Sequence, residues 1–164
     1  MAEIINNYLS PTNFSVSIQR LPHVEFFTQK LTIPDVTSSP VNLSSPLKGF
    51  YSPPSELSYS DLTLEMIVDE NMNNYKEILD WMEGYGSPES TDQYKRIAES
   101  KDGLVSDIIV LVTNSHKNPH LRFTFTNCFP TSLGSISLDV NVQDVAYATS
   151  SITFRYDVFK MEQL

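Results

Sequence analysis

Residues 129–142 read Phe129-Pro130-Thr131-Ser132-Leu133-Gly134-Ser135-Ile136-Ser137-Leu138-Asp139-Val140-Asn141-Val142. After a turn-forming start, Ile136, Leu138, Val140 and Val142 alternate with Ser135, Ser137, Asp139 and Asn141. A second run repeats the pattern. Ile152, Phe154, Tyr156 and Val158 alternate with Ser151, Thr153, Arg155 and Asp157. Successive side chains of a strand point to opposite faces, so this period marks strands with one buried and one solvated face. The solvated faces are short, hydroxylated and sparing in charge. They read as a surface, not as a catalytic centre.

The same alternation runs outward through the chain. In Asn13–Arg20, Phe14, Val16 and Ile18 alternate with polar residues, and Pro22 closes the run. Phe26–Ile33, closed by Pro34, is a second strand candidate. Ser60–Asp69 is a third, with Leu62, Leu64, Met66 and Val68 inward. The near-continuous apolar run in Val105–Thr113 predicts a strand buried on both faces. One helix is expected at about 71–83. Asp69-Glu70-Asn71 puts acids where the helix dipole favours them, and Met72, Tyr75, Ile78, Leu79 and Met82 follow at helical spacing up to Gly84 and Gly86. A further helical turn is expected at Tyr94–Ala98.

Residues 34–57 differ in kind. They hold Pro34, Pro40, Pro46, Pro53 and Pro54, half of all ten prolines. Such a stretch predicts an extended excursion with little regular pairing. It nevertheless carries Val41, Leu43, Leu47, Phe50 and Tyr51. Long loops in compact domains are commonly functional, and apolar residues in one suggest docking.

At 164 residues the chain is read as a single domain, 1–164, with enough apolar content (40%) for a real core. No apolar run reaches the ~20 residues of a membrane helix, and the first residues show no secretory signal. The net charge of −9 argues against a nucleic-acid binder of the usual basic kind. Residues 61–107 hold 12 of the 20 acids and 4 of the 11 bases, a local balance of −8. An acidic patch thus sits on a nearly neutral body, either as a solvated face or as the match for a basic partner.

Site chemistry is thin. Cys128 reads as a small buried hydrophobe. His116 and His120 have the spacing of a zinc helix, but Pro119 lies between them and no Glu does. His23 has no evident partner. Asn13-Phe-Ser and Asn42-Leu-Ser match a glycosylation acceptor pattern without a secretion signal. No glycine-rich phosphate loop and no convincing carboxylate pair is present. No cofactor, no metal and no enzymatic activity is expected.

In order, the landmarks are the Asn-Phe-Ser-Val strand, the Pro/Ser excursion, the Leu62-Thr-Leu-Glu-Met-Ile-Val-Asp-Glu strand-to-helix junction and a helix ending Ile78-Leu79-Asp80-Trp81. A buried strand, the Phe129-Pro-Thr-Ser-Leu-Gly turn and a long final strand follow. This order resembles the tail tube proteins of contractile-tailed, myovirus-type bacteriophages, over about Asn13 to Phe159. That family is related to the tubes of contractile bacteriocins and type VI secretion systems. The resemblance implies a mainly β fold, two antiparallel sheets packed as a β-barrel-like sandwich with one flanking helix. It implies a non-enzymatic structural protein of the virion, assembled in the bacterial cytoplasm into stacked hexameric rings. The rings would form the inner tube that conducts DNA. Partners would be further copies of the chain, the tail sheath, the baseplate tube initiator and the tail terminator, with transient passage of DNA and no membrane anchor. A baseplate tube initiator or junction protein of the same fold is the alternative. A monomeric β-sandwich binding module is the third reading, but it should show an aromatic-rich polar face, and these strands show none.

Candidate sites follow from that assembly. Leu47, Phe50 and Tyr51 of the excursion are expected to cross a subunit or ring boundary. Glu77, Asp80 and Glu83 are expected to point outward, toward the sheath. Ser137, Asp139, Asn141, Ser151, Thr153 and Asp157 are candidates for the channel wall, where few bases and no aromatics leave DNA unheld. Arg155 is the dissonant residue there, expected to pair with Asp157 or Asp139. The opposing expectation places the Ser60–Asp69 strand at the bore.

Overall fold

The structure is a computed structural model that describes residues 9–44, 48–54, 56–86, 91–98, 103–140 and 147–164. Asn141 and Leu47 lie outside the described residues. The chain begins with strand β1 (Phe14–Ile18), helix α1 (Pro22–Phe27) and strand β2 (Thr28–Thr32). Four short strands follow: β3 (Val36–Ser38), β4 (Val41–Leu43), β5 (Phe50–Ser52) and β6 (Leu57–Tyr59). Then come β7 (Leu62–Ile67), helices α2 (Asn73–Gly86) and α3 (Thr91–Ala98), β8 (Ser106–Thr113), β9 (Pro119–Leu133), β10 (Thr149–Arg155) and β11 (Val158–Gln163).

The main path runs β1-β8-β9-β10-β7-β2, with β11 also on β9, and every pairing is antiparallel. It is two sheets sharing one long strand. The first half of β9 pairs β8 and β11, and its second half, from Phe129, pairs β10. The buried positions of β9 include Phe123 and Phe125, then Cys128 and Pro130. Their parity flips at Asn127, which has φ 57°. Asn tolerates this left-handed region better than most residues, and one extra residue re-aims the strand. Asp107 Oδ1 accepts from the Asn127 N–H at 3.1 Å, and Asn127 Nδ2 donates to Asp157 Oδ2 at 2.9 Å. The expected mainly β sandwich is therefore present, but β1 and β2, the two ends of the path, are not paired with each other. Among the described residues no closed barrel forms.

Between the sheets lie Val16, Ile18, Leu62, Leu64, Met66, Ile108, Val110, Phe125, Ile152 and Phe154, all buried. Helix α2 adds Ile78 and Trp81. The Trp81 ring lies 6.3 Å from Phe154, its Nε1 donates to Leu104 O at 3.1 Å, and the Arg20 guanidinium sits 4.8 Å over it. Buried Asn74 ties α2 to β7, donating to Ile67 O at 2.7 Å and accepting from Asp69 N at 3.2 Å.

Several expectations are corrected. The Phe129–Leu133 stretch continues β9 rather than turning; Pro130, which has no N–H to donate, lies where β8 has already ended. The long final strand is two strands in different sheets, bent after Arg155, so Val158 faces out. Phe26 and Phe27 belong to α1, which Pro22 opens with its preset φ. In β8 only alternate residues are buried, because Ile109 and Leu111 lie on an outer face beside Ser17 and Ser15. The buried stripe of α2 is Asn74, Ile78 and Trp81, which leaves Leu79 39% exposed instead of in the core.

Residues 134–140 form no strand. Leu133 points inward opposite Ile152. Continuing β9 in register would turn Ser135, Ser137 and Asp139 into the core and Ile136, Leu138 and Val140 out of it. Gly134 holds the break: its N–H donates to Ser151 O at 2.6 Å, and a Cβ there would lie 2.5 Å from Ser151 Oγ. Leu138 and Val140 are consequently 86% and 100% exposed.

Trp81→Ala should cost about 3–5 kcal/mol by denaturant unfolding, the usual range for emptying a large aromatic site. Leu79→Ser should cost less than about 1 kcal/mol. A reversed ranking would restore the helix face read from sequence.

Candidate assembly interface

The excursion is an arm that pairs with itself. Strands β3 and β6 form one two-stranded segment, and β4 and β5 form another. The expectation of little pairing fails because the prolines fall between the pairs. Pro34 precedes β3, Pro40 separates β3 from β4, and Pro53 and Pro54 separate β5 from β6. Directly opposed residues share a face, so Val41, Leu43 and Phe50 make one apolar side of the tip and Tyr51 lies on the other. Phe50 is 57% and Tyr51 76% exposed, with Val36 and Leu57 also exposed near the base. Among the described residues nothing covers this apolar ribbon.

The sheet edges match it. Among the described residues, β1, β2 and β11 each have a strand neighbour on one side only. Free edges present unpaired backbone groups, which proteins cover or use for association.

On the acidic helix the three expected residues separate. Asp80 and Glu83 are exposed. Glu77 is half-buried, and its Oε1 lies 2.6 Å from His23 Nδ1, so His23 does have a partner. Glu77 Oε2 is buried without a hydrogen bond. Only Asp80 and Glu83 are thus fully presented to solvent.

The two competing channel faces turn out to be one. Thr153 stands opposite Thr63, and Ser151 opposite Glu65. The outward residues of β10 and of β7 therefore share a surface, which Lys30 and Thr32 of β2 extend. Its bases sit beside acids. Arg155 Nη1 lies 2.6 Å from Asp61 Oδ1, not on Asp157 or Asp139, and Lys30 Nζ is 3.7 Å from Glu65. Asp157 has left this face for the β9 corner, and Ser137 and Asp139 lie after Gly134, outside any strand.

The remaining chemistry is structural. Burial pushes the Cys128 thiol up to about 12, and its Sγ donates to Phe125 O at 3.4 Å. His116 and Asn118 donate their backbone N–H groups to Asn114 Oδ1, which makes a turn and not a metal-binding helix. Among the described residues no three His, Cys, Asp or Glu side chains gather as a metal site, and no helix is long and apolar enough to cross a membrane.

By sequence, residues 3–162 match the phage tail tube protein family. The chain belongs to that family. Proteins of that family are structural tail components. The fold of this tail tube protein matches a chain of the anti-feeding prophage baseplate with TM-score 0.64 at 13% identity, covering 96% of this chain and 97% of that one. It matches a chain of the PVC extracellular contractile injection system sheath–tube complex in the extended state with TM-score 0.62 at 18% identity, covering 98% and 95%. Hcp1 from Salmonella typhimurium matches with TM-score 0.50 at 14% identity, covering 92% and 85%. No curated protein matches by sequence. The exposure of Phe26 and of Leu138 and Val140 in this tail tube protein was not legible from its sequence, because periodicity marks an apolar face without saying which molecule buries it.

Proposed function

We propose that this tail tube protein assembles into hexameric rings that stack as the inner tube of a contractile tail and conduct DNA. The observation that carries the reading is the self-paired arm with Val41, Leu43 and Phe50 on one exposed side. A two-stranded apolar ribbon is marginal alone and gains most when a neighbour buries it. The arm then crosses a subunit or ring boundary, with Leu47, Phe50 and Tyr51 as its contacts. The related anti-feeding prophage baseplate is six-fold symmetrised, which supports six copies per ring. That the same fold occurs in a baseplate also favours a second reading, a tube initiator or junction that stops at one ring. In either reading the partners are sheath, baseplate and terminator components.

Electron microscopy of the purified chain separates these. Tubes mean a tube subunit, lone rings an initiator, and monomers at every concentration sink both. Phe50→Ser should keep the unfolding midpoint and abolish polymerisation. Normal tubes from that variant would reduce the arm to a surface loop.

The acidic helix is assigned to the sheath. Asp80 and Glu83, with Glu77 behind them, offer negative charge to a basic surface, and exposed pairs of this kind weaken as salt rises because screening acts over about 8–10 Å. Asp80→Lys with Glu83→Lys should leave bare tubes intact and block sheath assembly around them. Fully sheathed tails from the double variant would refute the assignment.

The channel wall is assigned to the shared face of β7 and β10, with Ser151 and Thr153 at its centre. Hydroxyls and neutralised pairs give phosphate no free cation and bases no ring to stack on. DNA then passes without sequence preference. Ser151→Lys with Thr153→Lys should place a basic sleeve in each ring and slow DNA ejection while assembly stays normal. Unchanged ejection kinetics would move the wall elsewhere.

A further inference from the structure

Strand β1 has backbone groups that face away from its sheet. In an antiparallel strand the N–H and C=O of alternate residues point to the same side. Asn13 turns its C=O toward β8, where it accepts from Thr113 N at 3.0 Å. Ile18 turns the other way. Its N–H donates to Glu25 Oε2 at 3.4 Å, and its C=O accepts from Leu21 N at 3.1 Å. By alternation Phe14 and Val16 also direct their N–H and C=O away from β8, to a side where no strand lies among the described residues. Val16 is only 3% exposed, so water is a poor partner for these groups. Buried backbone groups are nearly always paired.

The chain enters the fold through a reversal beside this edge. Asn13 N–H donates to Ser10 O at 3.5 Å, and Ser10 Oγ lies 3.0 Å from Thr12 Oγ1. Pro11 stands at the second position of this turn, where its fixed φ is favoured. The chain before the turn is thereby aimed back along β1. Leu9 and Phe14 already line the same cavity of about 320 Å³, in the seam between β1 and β2. We infer that residues 1–8 lie as a strap along the free edge of β1 in their own chain, with Asn7 paired to Val16 as Leu9 is to Phe14. Residues 10–13 then form a four-residue hairpin loop, a common length for loops built on a turn of this kind.

Length and surface chemistry fit. Eight extended residues span about 26 Å, more than the roughly 16 Å of five-residue β1. Beyond Val16 the edge belongs to Glu25 of α1, so pairing ends there and Ile4 and Ile5 reach α1. A second cavity of about 320 Å³, lined by Phe14, Val16, Glu25 and Phe26, lies between β1 and α1, and Phe26 is 83% exposed. The eight residues carry one charged side chain, Glu3. The tether selects this occupant over a second copy. A segment joined by a short loop meets its site at an effective concentration of the order of millimolar, which a separate molecule at micromolar concentration does not match. A strapped β1 offers no backbone to a neighbour on that side, so this edge is withdrawn from association.

The test is amide exchange by NMR on the full chain, at a concentration where sedimentation shows a monomer. The Val16 amide should be protected, and an Overhauser contact should join the backbones of Asn7 and Val16. Asn7→Pro removes the N–H that faces Val16 and should speed exchange there roughly tenfold or more, while Asn7→Ala should not. The Leu64 and Met66 amides of β7, read in the same spectra, should stay unchanged. A Val16 amide that is unprotected in the monomer, or protected only as copies assemble, overturns the inference. So does the absence of the Asn7–Val16 contact, and this reading holds even if the proline variant unfolds. Equal exchange in the proline variant and the parent overturns it as well.

Discussion

The fold depends on the corner at Asn127. Strand β9 must serve two sheets, and a strand of strict alternation cannot bury the same side in both once it bends. The left-handed φ at Asn127 supplies the one-residue change of parity. Asp107 and Asp157 hold its backbone and side chain from either flank. With the parity changed, Phe123 and Phe125 enter the core from one sheet, and Cys128 and Pro130 lie inward beyond the corner. An Asn at this position reconciles a tolerated backbone with two hydrogen-bonding ends.

A related constraint acts at Gly134. There the parity of the sequence changes again, but among the described residues no partner strand accommodates it. The two breaks have opposite outcomes. At Asn127 the chain finds a second sheet, and at Gly134 it leaves the sheet altogether. The stretch after Gly134, the open β1–β2 seam and the arm each leave apolar surface outside the core. A single copy is a well-packed sandwich with exposed apolar residues outside it.

Much of the sandwich was legible in the sequence. Period-two patterns located β1, β7 and β10, because a half-buried strand writes its inner face into the chain. The α2 helix was legible in place but not in rotation. Leu79 fits helical spacing as well as Trp81 does, and only the rest of the core decides which of them it receives. The Pro-rich arm misled in the other direction. Proline counts against pairing locally, yet here the prolines separate short pairs instead of dissolving them. The split of the last strand and the Phe129–Leu133 continuation were illegible because both follow from the corner, a tertiary event that local alternation does not encode. For the candidate sites, the exposure of Phe50, Tyr51, Asp80 and Glu83 followed from composition. The Arg155–Asp61 and His23–Glu77 pairs did not, since they join residues 94 and 54 positions apart.

The lone cysteine has a consequence for the chemistry of the folded chain. Cys128 is enclosed beside the corner, and its thiol is held neutral well into alkaline conditions. Thiolate is the species that attacks disulfides and electrophiles. However many copies are brought together, the folded chain therefore offers no reactive sulfur to its neighbours. Moving the folded chain from reducing to oxidising conditions therefore leaves its covalent structure unchanged.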